Sequence, residues 1–121
     1  MINIGKVIYN RIHDLVDGKC YPLVADLTTK YPFIIYEKTT SFPTESKDSY
    51  CQYIHNITIR IVDDKYDKAV ALSEECLTRL VESEGMIIED IEILEVTLDS
   101  ISEEYIDNAF VQIINIEIKT N

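Results

Sequence analysis

At 121 residues, with 46% hydrophobic and 27% charged side chains, the chain has the composition of a folded globular protein and the length for one continuous core, read as a single domain over 1–121. Its formal net charge of −11 excludes the basic footprint of a groove-reading, sequence-specific nucleic-acid binder. No run approaches the ~20 apolar residues of a membrane span, and the N-terminus lacks the cationic start and apolar block of a signal peptide, so a cytoplasmic protein without a membrane partner is expected.

Asn3 is placed to cap a first helix running to about Val16, because Ile4, Val7, Ile8, Ile12, Leu15 and Val16 recur at helical spacing. Asp17-Gly18 stops it, with Gly18 supplying the left-handed position. Cys20 to Val24 reads as a short extended piece and Ala25 to Lys30 as a loop, while Pro32 biases Tyr31 toward extended geometry.

Two long strands follow, Phe33 to Phe42 and Tyr50 to Val62, joined by the polar segment Pro43 to Ser49. In the second, Tyr53, His55, Ile57, Ile59 and Ile61 alternate with Asn56, Thr58 and Arg60, the period of a strand with one dry face. The joining segment is longer than a two-residue turn needs and contains no Gly. It is read as an assembly arm of Phe42, Thr44, Glu45, Lys47, Asp48 and Tyr50, set against a plain surface loop.

Asp63 and Asp64 are cap candidates for a second helix, Lys65 to about Ser83, with Asp67 favourable in its first turn. Its apolar stripe is Tyr66, Ala69, Val70, Leu72, Cys76, Leu77, Leu80 and Val81, and Gly85 ends it. Beyond it, Leu94, Val96 and Leu98 alternate with Glu95, Thr97 and Asp99, and Phe110, Ile114, Ile116 and Ile118 with Asn115, Glu117 and Lys119. Ser100 to Asn108 is taken as the connection between these strands, and Met86 to Ile88 as a possible early start of the first, with Glu89-Asp90 a bulge or turn. The expected fold is α+β, a mainly antiparallel sheet of four to five strands with two helices on one face, in the order α-β-β-β-α-β-β. Ile12, Leu15, Ile57, Ile59, Leu77 and Leu80 are expected to share one core.

Catalytic chemistry finds no foothold in this pattern. Three glycines build no phosphate loop. Cys20, Cys51 and Cys76 form no C-x-x-C pair and, with His13 and His55, show no metal-ligand spacing, so neither metal nor cofactor is expected. Cys51 and His55 lie on one strand face about 13 Å apart by strand rise, too far for proton transfer. His55 is read as a hydrogen-bonded core or interface histidine. Eight tyrosines, among them Tyr31, Tyr36 and Tyr53, suit either sheet packing or a protein interface. Leu80 to Ile118 carries eleven acidic residues and no Lys or Arg, so the C-terminal third supplies the charge imbalance.

The run Ile12-His13-Asp14-Leu15-Val16-Asp17-Gly18-Lys19-Cys20-Tyr21-Pro22, then Tyr31-Pro32-Phe33-Ile34-Ile35-Tyr36-Glu37, then Ile57-Thr58-Ile59-Arg60-Ile61-Val62 before a helix, resembles the tail-completion family of long-tailed siphophages and prophages. These are the tail terminator, or tail-to-head joining, proteins, and the likeness in order and spacing covers about residues 4 to 83. It implies a non-enzymatic virion component, made in the host cytoplasm and resident in the virion tail. It also implies self-assembly into a ring, a hexamer being the expected form, with the tail tube protein and the head-tail connector as partners. A small α+β ligand-binding or enzymatic domain is the alternative reading, and a monomeric regulatory adaptor a third.

Overall fold

The computed structural model describes residues 3–41 and 52–121. Helix α1 spans Ile4–Ile12, and the Asn3 side chain accepts a hydrogen bond from the Gly5 N–H at its start. The turns His13–Val16 tighten into a 3-10 helix and do not continue α1. Asp17 and Gly18 then take left-handed conformations that turn the chain into β1, Cys20–Pro22. β2 is Phe33–Ser41, β3 is Tyr53–Asp63 and α2 is Tyr66–Val81; β4, Ile87–Ile88, β5, Ile91–Ile106, and β6, Ala109–Thr120, complete the chain. The fold is α+β, with one sheet in the order β1-β2-β3-β6-β5-β4. Among the described strands only β1 and β2 pair in parallel.

The sheet has six strands, not four to five, because Ile87 and Ile88 pair with Glu92 and Ile91 across a turn at Glu89-Asp90, where both residues have positive φ. A larger difference lies beyond it. Ser100 to Ile106 is not a connection: β5 runs on to Ile106, paired with β6 down to Ile106 opposite Ala109, and the turn is Asp107-Asn108 alone, with φ of 52° and 64°. Two consecutive left-handed residues match the twist of a tight hairpin, and Asp and Asn tolerate that region.

Both helices lie on one face of the sheet. Ile4, Val7, Ile8 and Ile12 of α1, and Cys76 and Leu80 of α2, are buried in one cluster with Ile34, Ile57, Ile59, Ile61, Ile114, Ile116 and Ile118, and Ala69 of α2 is buried as well. Leu15, Leu72 and Leu77 are partly buried at the margin, while Tyr66 and Val81, expected in the stripe, are exposed. Two arginines tie the helical layer together: Arg11 Nη2 donates to the Arg79 carbonyl at 2.9 Å and Arg79 Nη1 to the Arg11 carbonyl at 3.3 Å. Arg79 also pairs with Asp14, holding that carboxyl below its ordinary range.

The caps expected of Asp63 and Asp64 do not form. Lys65 occupies the N-cap of α2 without a side-chain bond, because β3 continues through Asp63 and carries its carboxyl inward. Asp63 is 1% exposed; its Oδ1 accepts from the Asp64 N–H at 2.8 Å, and its Oδ2 has no hydrogen-bond partner among the described residues. Burial first, and the Asp64 side chain next, raise its pKa above the usual carboxylate value. Folding therefore favours the protonated acid: the stabilising contribution is complete below 3.8 and is lost as pH rises through the raised value. Asp63→Asn is accordingly expected to raise unfolding free energy by roughly 1 kcal/mol at pH 7 and to give no gain near pH 3. Urea titrations at the two pH values measure this, and a loss at pH 7 would contradict it.

Candidate assembly surfaces

Cys20 and Cys76 are buried free thiols, both pushed up to about 12 by desolvation, so neither supplies a thiolate near neutrality. His13 stacks on Tyr9 and donates from Nδ1 to the Tyr9 carbonyl at 2.7 Å. Among the described residues no three His, Cys, Asp or Glu side chains are grouped to hold a metal ion.

His55 is fully buried on the helix-covered face of β3. Thr40 Oγ1 lies 2.9 Å from its Nδ1 and Thr120 Oγ1 3.0 Å from its Nε2, one hydroxyl from each neighbouring strand. A hydroxyl both donates and accepts, so either neutral tautomer is satisfied. Desolvation, then the charge of Lys38, pushes the imidazole down to about 4. It is a structural histidine that clamps three strands.

The hairpin residues Phe42, Thr44, Glu45, Lys47, Asp48 and Tyr50, and Cys51 with them, lie outside the described residues. The described residues of β2 and β3 are in register up to Ser41 opposite Ile54. Of the tyrosines beside it, Tyr36 is buried against α1, where Gly5 leaves room for its ring. Tyr31 is exposed and stacks on Phe33.

Two surfaces remain that sequence reasoning did not single out. The first is on the sheet face away from the helices, where Val62, Ala109, Val111 and Ile113, with Phe33, form a second small apolar cluster. The segment after β1 passes over it and leaves a groove of ≈ 430 Å³ between Leu23, Leu27 and Tyr31 on one side and Ile106 on the other. The second is the distal β5–β6 hairpin, whose β5 residues from Thr97 onward are exposed on both faces. Leu94 and Asp99 are bulge positions in the β5–β6 pairing, and each bulge shifts the phase of the strand. The inward residues are therefore Ile91, Ile93 and Val96, not Leu94, Val96 and Leu98, and Leu98 is 42% exposed. The signal for the hairpin was Asp107-Asn108, a residue pair suited to a left-handed turn.

No family model matches the chain, and no curated protein matches it. Among solved structures it is similar to a chain of one described as "Virion of native gene transfer agent (GTA) particle", with a TM-score of 0.73 at 9% sequence identity, covering 93% of this chain and 90% of that one. At that identity the likeness is one of fold.

Proposed function

We propose that the chain is a structural protein of a phage-like virion and, within that class, a tail terminator: a subunit that forms a ring, caps the tail tube and joins the tail to the head. One observation carries this reading, the fold shared over 93% of the chain with a chain of a gene transfer agent virion particle. The ordered resemblance to tail-completion proteins over about residues 4 to 83 supports the finer part of it. In this reading the segment Ser41 to Tyr50 is an arm that contacts neighbouring subunits or the tube.

Purified protein, imaged by negative-stain electron microscopy alone and with phage tail tubes, is expected to form rings seated on tube ends. A chain that stays monomeric by light scattering at every concentration, and leaves tube ends bare, overturns the terminator reading. Cutting Thr44 to Ser49 down to a two-residue turn is expected to leave folding intact while ring formation or tail joining fails. Normal tail completion by the shortened chain would move the contacts elsewhere.

A further inference from the structure

We propose that the outer edge of β5, from Thr97 to Ile106, is a strand-addition site for an extended, cation-bearing segment of another protein. The proposal does not depend on ring formation. On its inner side this stretch pairs residue by residue with β6. On its outer side β4 reaches only Ile91 and Glu92, the Gly85–Met86 backbone exchanges hydrogen bonds with Ile93, and the Glu84 carboxylate accepts from the Val96 N–H. Beyond Val96 no backbone partner is found on that side among the described residues. About 30 Å of strand edge thus presents unused N–H and C=O groups, a ready template for another chain.

The side chains there argue for docking and state its chemistry. Ile101 is 52% and Tyr105 60% exposed on the face shared with the helices, and Ile106 is 49% exposed on the other, so apolar surface flanks the edge on both sides. Asp99 and Glu104 stand along the same stretch, and Asp107 at the turn that ends it, with no ion-pair partner among the described residues. Lys and Arg are absent between Leu80 and Ile118. A second copy docking edge to edge about a two-fold axis would set these acids against the same acids, which is destabilising. Charges that disfavour a two-fold, edge-to-edge copy favour a strand bearing Lys or Arg, which adds backbone hydrogen bonds and neutralises them.

The probe is a decapeptide of alternating lysine and valine, compared with one of equal charge in which two valines are proline. Hydrogen exchange of the intact protein reads the amides of Thr97 to Ile106. The lysine–valine peptide is expected to slow exchange of the outward-facing amides about ten-fold or more, and the proline peptide to leave them unchanged. Asp99→Lys with Glu104→Lys, both at exposed positions without an ion-pair partner among the described residues, is expected to weaken peptide binding about ten-fold or more at low salt without changing the unfolding midpoint. Equal binding of both peptides without amide protection would reduce the site to diffuse charge attraction and overturn the proposal. Protection that grows with protein concentration in the absence of peptide would overturn it in favour of a second copy.

Discussion

Replacing Leu80 with Ala is expected to lower the unfolding free energy by about 2–5 kcal/mol, the range for a large buried aliphatic whose cavity does not collapse. Leu80 is 0% exposed and lies in the cluster where α1, α2 and the centre of the sheet meet. Leu77, one turn earlier on the same helix, is only partly buried at the edge of that cluster. Leu77→Ala should therefore cost clearly less, since part of its surface already faces water. Urea unfolding of the two variants beside the parent checks the order. An unchanged midpoint for Leu80→Ala would mean that α2 does not cover the sheet.

The second large effect is on pH dependence. His55 has an ordinary pKa of 6.5 and is held down to about 4 in the folded protein, so between these values the unfolded chain binds more protons. Stability contributed by the neutral imidazole is complete above 6.5 and is lost as pH falls through about 4. A shift of this size corresponds to about 3 kcal/mol at a fully buried group. Asp63, whose pKa is raised, runs the other way, so the His55 contribution must be isolated by difference. His55→Gln should lower stability at pH 7, where it disturbs the bonds to Thr40 and Thr120, and narrow the gap from the parent as pH falls toward 4. Denaturant midpoints from pH 7.5 to 4 measure that gap. Parallel curves for parent and variant would show that His55 titrates near its ordinary value.

Those two residues also mark what was legible in the sequence. Leu80 sits in a helical apolar stripe and His55 in a strict strand alternation, and burial on one side of each element writes such patterns directly. The helices, the central β2–β3 ladder and the helix-covered core are all elements of that kind. The acidic bias of the C-terminal third was equally plain, though not what it decorates.

The tertiary structure decided the rest. Along Thr97 to Ile106 both faces are open to water, so no burial imposed a period and Ser100 to Asn108 read as a connection. The bulges at Leu94 and Asp99 then shifted the phase that the earlier residues had set. Asp63 looked like a helix cap because Asp before a helix usually is one, yet cross-strand pairing with Phe110 keeps it in β3 and buries its carboxyl. Which strand forms an edge is a property of the order β1-β2-β3-β6-β5-β4, in which the last strand of the chain lies beside the third. Local pattern records which side of an element is dry; neighbours far apart in sequence decide which edge is left unpaired.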